Sequence, residues 1–334
     1  MPVSSHRTKP KIVVLYNENP AWPEADKAWS EEMLAIMWSG LRELGYAFQP
    51  VAFFDDLSAL DRFDPREWLI FNWGEELGGQ PWSEAEVAAE LERRGFAYTG
   101  SPPAVITFLQ KRLSVKERLK AAGLPTLPAR VFSDPAQAEA WTVYPAIVKG
   151  ANQHASYGIS GESVVQGPQG LSGRIEFIRA TYQDDALVEP FLDTREFHVA
   201  VWGNGAPEAL PPLEYDYSTF ADMRDRLYTY DWKFDRTSRG YKEIKMPCPA
   251  PEDRPDWRAR LEGVAVAAYR VVGLRDYGRF DLRMLGDEPQ ILDVNPNPDL
   301  DVTSVLPVGA RALGLSYGQM VARILGYAAV RMPG

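Results

Sequence analysis

Between Tyr277 and Asp301 the chain reads Tyr-Gly-Arg-Phe-Asp-Leu-Arg-Met-Leu-Gly-Asp-Glu-Pro-Gln-Ile-Leu-Asp-Val-Asn-Pro-Asn-Pro-Asp-Leu-Asp. Alternate residues of a strand share a face, so Asp281 and Arg283 project together from one run and Asp293 and Asn295 from the next. Carboxylates buried side by side are costly unless a cation or a partner charge compensates them. Two carboxylates and an amide oxygen suit magnesium or manganese, hard ions that keep waters and bridge to substrate phosphates. The competing reading is a solvated hairpin whose acids pair with Arg279 and Arg283, and the stretch by itself leaves both open.

Those side chains need a hairpin to hold them. The apolar runs Phe280 to Leu285 and Gln290 to Val294 flank the turn-type cluster Gly286-Asp287-Glu288-Pro289, so the spacing predicts two antiparallel strands. Near the start, Lys11 to Tyr16 reads as a buried strand. A polar loop through Pro23 follows, then a helix from about Ala25 to Leu44 stopped by Gly45. Trp68 to Trp73 is a second buried strand, and Ser83-Glu-Ala-Glu86 has the form of a capping box for a helix ended by Gly95. Strands alternating with helices imply a parallel sheet. Its ligands bind beyond the carboxyl ends of the strands, at Tyr16 to Glu24 and Asn72 to Gly79. No Gly-x-Gly-x-x-Gly follows the first strand, so a substrate is expected there and not a dinucleotide.

Tyr98-Thr-Gly-Ser-Pro-Pro103 marks a boundary, and a helical stretch then runs from Lys111 to Ala122. Tyr144 to Lys149 and Ile159 to Val165 read as strands around the small-residue loop Gly150 to Gly158. That loop could cradle phosphate on its N–H groups or be a plain hairpin turn; it is not a Walker loop. Leu187 to Leu192 runs into Arg195 to Trp202, where alternation puts Glu196, His198 and Ala200 on one face, and His198 is given no chemistry. The charged segment Asp216 to Lys245, with Lys233, Arg236, Arg239, Lys242 and Lys245, has the length and charge of a cationic lid over phosphates. Trp257 to Val272, Pro307 to Gly314 and Tyr317 to Tyr327 read as helices.

Composition narrows the field. The chain has 334 residues, 45% of them hydrophobic, with a net charge of −10 and an isoelectric point near 5.0. This balance argues against nucleic acid or an anionic membrane as the main partner. The single cysteine, Cys248, excludes an intrachain disulfide and a multi-cysteine metal centre. No apolar run has the length of a membrane span, and a reducing cytoplasm is the expected location.

Taken together, these blocks resemble the ATP-grasp ligases, and within them the relatives of D-alanine:D-alanine ligase. The anchors are Ala146 to Lys149, Leu187 to Leu192 with Arg195-Glu-Phe197, Leu210 to Glu214, Gly278 to Asp281, and Ile291 to Asn295, in family order. The resemblance implies an α/β (α+β) ATP-grasp fold with an N-terminal parallel-sheet domain. It divides the chain into 1–102 on the substrate side, a central subdomain 103–188, and a C-terminal subdomain 189–334 carrying the metal site and the lid 216–245. It assigns Lys111, Lys149, Ser156 and Lys233 to the phosphates and Glu189, Phe191, Leu192 and Leu292 to the surroundings of the base. Glu196 goes to the ribose and Asp281, Asp293 and Asn295 to magnesium (or manganese). Arg279, Lys149 and Lys233 are the implied catalytic residues, and Glu24, Asp299 and Ser304 the implied substrate contacts.

The implied reaction joins a carboxylate to an amine through an acyl phosphate, releasing ADP, and the resemblance implies a homodimer as in relatives. Substrate-side positions depart from the family pattern. The first-strand loop is Asn17-Glu-Asn-Pro-Ala-Trp-Pro-Glu24 where the family has a glycine-rich segment with a serine and a glutamate. Trp73-Gly-Glu-Glu replaces a His-Gly pair, Ala155-Ser156 keeps half of a serine pair, Asp293 stands for glutamate, and Pro296-Asn-Pro-Asp-Leu replaces a glycine-bearing segment. The expectation is therefore a ligase for amino acids or small peptides other than the D-alanine pair. A divergent D-alanine:D-alanine ligase and a non-catalytic ATP-binding regulatory module are the alternatives.

Overall fold

The computed structural model describes residues 9–154, 156–229, 231–232, 235, 237–251, 253–254 and 256–333. Three sheets carry it. The first is parallel, with order β2-β1-β3, from β1 (Lys11–Asn17), β2 (Phe48–Phe53) and β3 (Trp68–Trp73). β1 is central because Ile12 to Leu15 form an unbroken apolar run, and all four are fully buried. β2, not anticipated, holds Pro50 and lies at an edge, where a missing N–H is tolerated. Helices α1 (Glu24–Glu43) and α2 (Glu84–Arg93) flank this sheet. The expected capping box does not form: the Ser83 hydroxyl donates to Gln80 O (2.5 Å) and accepts from Leu77 N (2.7 Å), tying the loop before the helix.

The tandem prolines begin a helix instead of merely separating elements. α3 (Pro103–Leu109) starts on Pro103, whose missing N–H costs nothing in a first turn, and α4 (Arg112–Ala121) follows with Lys111 as its N-cap. The second sheet is antiparallel, order β4-β7-β5-β6, from β4 (Arg130–Phe132), β5 (Ala146–Gly150), β6 (Val164–Val165) and β7 (Ala186–Pro190). Only two residues of the expected strand Ile159 to Val165 pair. Helix α5 (Pro168–Tyr182) buries Leu171, Ile175 and Ile178 against Phe132, Val148 and Val188, a core separate from the others.

The third sheet holds β8 (Glu196–Trp202), β9 (Glu208–Ala209), β10 (Leu213–Tyr215), β11 (Tyr277–Leu285) and β12 (Glu288–Asn295), ordered β10-β8-β11-β12 with β9 beside β8. A short helix α6 (Arg239–Glu243) precedes α7 (Trp257–Val272), and α8 (Val305–Ala312) and α9 (Tyr317–Ala329) close the chain. Two-residue alternation sorts the faces: Phe197, Val199, Phe280 and Leu282 pack under α7, while Ala200 and Trp202 join α8 and α9. Glu196, His198, Arg279, Asp281 and Arg283 share the latter parity. The hairpin is longer than expected, with only Gly286-Asp287 between its strands. Its register slips between Asp281 and Leu282, so Asp281 faces Asp293 while Leu282 faces Ile291. The extra residue is a bulge that lets Ile291 and Val294 both reach the core and leaves Leu292 and Asp293 on the open side.

The first and third sheets share one core, in which Ile12, Val14, Phe71 and Met37 meet Trp202, Leu306, Met320 and Ile324. α1 and α9 touch at Gly40 and Gly318, where a Cβ on Gly40 would lie 2.6 Å from Gly318 Cα. Asp276, fully buried, accepts from Gly100 N (2.9 Å) and pairs with Arg331 (2.6 Å), joining the same two parts. Among the described residues no helix is long and apolar enough to cross a membrane.

Candidate active site

On the face where alternation gathers the polar residues, Asp281 stands opposite Asp293 on one side and His198 on the other. Arg279 grips Asp281 in a bidentate pair, Nε to Oδ1 at 2.7 Å and Nη2 to Oδ2 at 3.0 Å. Arg112 Nη1 donates to Asp293 Oδ2 at 2.6 Å. Burial alone would push the Asp293 carboxyl up, but Arg112, His154 and Lys149 outweigh it and hold the group well below the usual carboxylate range. Burial likewise opposes the charge on Arg279, and Asp281 more than restores it. His198 Nε2 donates to Glu196 Oε1 (3.0 Å) and its Nδ1 lies 3.4 Å from Asp281 Oδ1, so the histidine bridges the two acids. Tyr215 packs on its ring at 4.3 Å.

This rung opens onto a cleft between the second and third sheets, of about 90 Å³, lined by Lys149, Ser156, Phe191, Leu192, Leu292 and Asp293 among others. Glu189 lies beneath it, 1% exposed at the side chain, with one oxygen on Lys149 (2.5 Å) and the other on Lys116 (2.6 Å). Burial pushes its carboxyl up, and the two ammonium groups bring it down to about 2. Glu196 is similarly held at about 2 against burial, chiefly by Arg283, whose Nη2 is 2.7 Å from Oε2. The Arg283 guanidinium also lies 5.0 Å from the centre of the Phe191 ring. Arg283 therefore serves Glu196, not the hairpin acids.

Beyond Arg279 the cleft gives way to a cavity of about 630 Å³, walled by the loops after β1 and β3, by α1, and by the segment from Tyr215 to Met246. Tyr16 and Trp73 come from the ends of β1 and β3, Trp22 from the loop after β1, and Tyr228, Trp232 and Tyr241 from the long segment. Asn17 ties the two loops together, accepting from Glu75 N (2.7 Å) and Glu76 N (3.1 Å) and donating to Glu76 O (2.7 Å). Tyr228 lines both spaces.

The expected site residues fall unevenly on this geometry. Lys149, Ser156, Glu189, Phe191, Leu192, Glu196, Leu292, Asp281 and Asp293 line the cleft, and Arg279, Asp299 and Ser304 line the cavity. Asn295 sits opposite Arg279, its Oδ1 accepting from Asn297 N (2.9 Å). Glu189 departs from its expected place beside the base, because its carboxylate is spent on two lysines. Lys111 is exposed at the start of α4, and Arg112, about 100° further round, faces the cleft in its stead. Glu24 is 90% exposed and pairs with Lys27 (2.9 Å); Asp26, on the other side of the first turn of α1, lines the cavity. Lys233 and Arg236 lie outside the described residues. Of the other cations of that segment, Arg239 pairs with Glu243 (2.9 Å) and Lys242 donates to Thr237 O (2.8 Å), so its cavity wall is aromatic more than cationic.

Residues that spacing had not singled out are Arg112, Lys116 and the cavity aromatics; His198 was placed on the face of Glu196 but given no chemistry. Arg112 and Lys116 are four apart on one helix, a signal that would have placed both on the same face.

A groove between two antiparallel sheets, acids at its floor and a lysine-bearing strand above, defines an ATP-grasp enzyme. The family model described as D-ala D-ala ligase C-terminus matches residues 120–326. Protein y4sG of Sinorhizobium fredii is 30% identical, over 80% of this chain and 79% of its own. D-alanine–D-alanine ligase of Bordetella petrii is 31% identical, over 77% and 75%. The crystal structure of D-alanine–D-alanine ligase from Bacillus anthracis complexed with ATP superimposes with a TM-score of 0.71 over 97% of this chain and 99% of that one, at 16% identity, a likeness of fold. The chain belongs to the D-alanine–D-alanine ligase family, and it is an ATP-dependent ligase joining a carboxylate to an amine.

Proposed function

We propose that this ligase acts on amino acids or small peptides other than the D-alanine pair, with magnesium held by Asp281, Asp293 and Asn295. The donor set fits a hard dication: all donors are oxygen, and the two carboxylates face each other on one rung. The third proposed donor is the amide oxygen of Asn295, and the ion would have to compete with Arg279 for Asp281 and with Arg112 for Asp293. Bound there, the ion would neutralise charge on phosphate oxygens.

In the reaction a substrate carboxylate oxygen bonds to the terminal phosphorus as the bond to ADP's bridging oxygen breaks. The amine nitrogen then bonds to the acyl carbon, phosphate leaves with the C–O electrons, and the amine loses its proton. Negative charge builds on oxygens in both steps, and Arg279, at the junction of cleft and cavity, is placed to offset it. Lys149 holds the phosphates from β5. Phe191, Leu192 and Leu292 pack on the base, and Glu196 with its Arg283 partner meets the ribose. Lys233 completes the phosphate contacts, and Asp299 and Ser304 face the substrate. We assign the chain to the cytoplasm, as a homodimer, with units divided near residues 102 and 188.

The cavity carries the substrate reading. Its 630 Å³ lies in the range that takes drug-sized ligands, far more than two alanines need. The test is magnesium-dependent ADP release with a panel of amino acids and dipeptides of both chiralities. Release only with D-alanine supports the family's named substrate; release with larger partners supports the reading proposed.

A further inference from the structure

We propose, resting on the reading above, that the cavity takes a bulky cationic amine: a positively charged nitrogen on an apolar or aromatic body of about dipeptide size. The walls supply two features that a small zwitterion does not require. Aromatic side chains line the space from three parts of the chain, Trp22 from the loop after β1, Trp73 from the end of β3, and Tyr228 and Trp232 from the long segment. They are fixed in place: Tyr228 packs on Tyr215 at 4.4 Å and Trp232 on Phe220 at 4.8 Å. Gly240 leaves no slack behind Trp232, since a Cβ there would fall 2.0 Å from the indole. Indole and phenol faces attract a desolvated cation through their negative quadrupole.

The charge balance points the same way. Asp26, Glu75, Asp299 and Asp301 line the cavity, and among the described lining residues the single cation is Arg279, already engaged by Asp281. Among the described lining residues an anionic body would meet more carboxylates than cations. A protonated amine meets a negative field and π faces together.

The experiment titrates the full-length chain with three probes by tryptophan fluorescence: phenethylamine, the equally large anion 3-phenylpropionate, and D-alanine. Phenethylamine is expected to bind at least about tenfold more tightly than either of the others. Asp26→Asn, an exposed helix position that threatens no core, should weaken phenethylamine by about threefold to tenfold and leave 3-phenylpropionate unchanged. Trp22→Leu should weaken phenethylamine further. Equal or tighter binding of 3-phenylpropionate or D-alanine, or no saturable signal with phenethylamine, would overturn the proposal. ADP release across the amino-acid panel separates the two readings. Release with large uncharged or acidic partners keeps the ligase reading and removes this one, whereas release only with D-alanine removes both. Preferential release with basic or aromatic amines supports both.

Discussion

The cavity and the cleft meet at Arg279 yet are built on opposite principles. Both halves of the cavity wall grow from one core, in which β1, β3 and α1 pack on Trp202 and α9, locked at Gly40 and Gly318 and by the Asp276–Arg331 pair. The cleft lies between sheets whose cores are separate, the α5 core on one side and the α7 core on the other, joined by the small cluster Ile147, Val164, Phe191 and Leu227. One space is therefore preformed, large and aromatic; the other is narrow, charged and bounded by parts free to shift. At about 90 Å³, the cleft is smaller than a nucleotide, so the proposed ATP site requires the second and third sheets to part. The lesson is a division of labour: on the reading proposed, selectivity belongs to the larger space and the phosphate chemistry to the narrower one.

The comparison breaks most sharply at the acids. Asp281→Ala removes a proposed magnesium ligand and frees Arg279, and should lower ADP formation at least about a thousandfold, several kcal/mol of transition-state stabilisation. Circular dichroism should show an intact fold, because the side chain is only partly buried. Near-normal turnover would sever the cleft from the chemistry.

A second cut tests whether the cleft floor is a structural keystone. Glu189→Ala would leave Lys116 and Lys149 facing each other, buried and uncompensated, a loss of about 3–5 kcal/mol in urea unfolding. The deficit should be smaller in the Lys116→Met/Glu189→Ala double variant, since one stranded charge is gone. If the single variant unfolds like wild type, the two-lysine clamp is not what holds β5 to β7.

Gly240→Ala addresses the cavity alone. The added methyl displaces Trp232, so amine or substrate binding should weaken about tenfold while nucleotide binding in the cleft stays within twofold, as read by parallel titrations. Equal loss at both sites would show that the two spaces are coupled through Tyr228.

Much of the cleft was legible in the chain and much of the cavity was not. Alternation placed Glu196 with His198 and Asp281 with Arg283 because one face of β8 and β11 must be apolar for α7, leaving the other to chemistry. The bulge at Leu292 could not be read, since a one-residue slip needs the partner strand to define it, although it decides how Asp293 meets Asp281. Lys111 and Glu24 were each misplaced by the same geometry: neighbours in a first helical turn diverge by about 100° per residue, so a capping position and its successors face different ways. His198 reads as an ordinary sheet residue until its two acidic neighbours on the rung are known. The cavity draws its aromatics from three separate segments, and nothing in their spacing announces that Trp22, Trp73, Tyr228 and Trp232 converge.

The smallest expected effect lies in pH dependence, on the cleft side only. His154, whose Nε2 donates to Gln110 O at 3.1 Å, has its ionisation depressed to about 4, first by burial and then by Arg112. In the unfolded chain the same ring takes a proton near pH 6.5. Between these values the unfolded state binds the extra proton, so stability is full above pH 6.5 and falls as the pH drops toward 4. Urea midpoints of wild type and His154→Gln at pH 7.5 and pH 5 should therefore differ in their pH response by on the order of 1 kcal/mol, the variant being the flatter. The cavity contributes no such histidine among its described lining residues, so amine binding to Trp22 and its neighbours should keep its midpoint across the same interval. A parallel drift of both would tie the rigid space to the protonation of the cleft and undo the separation drawn between them.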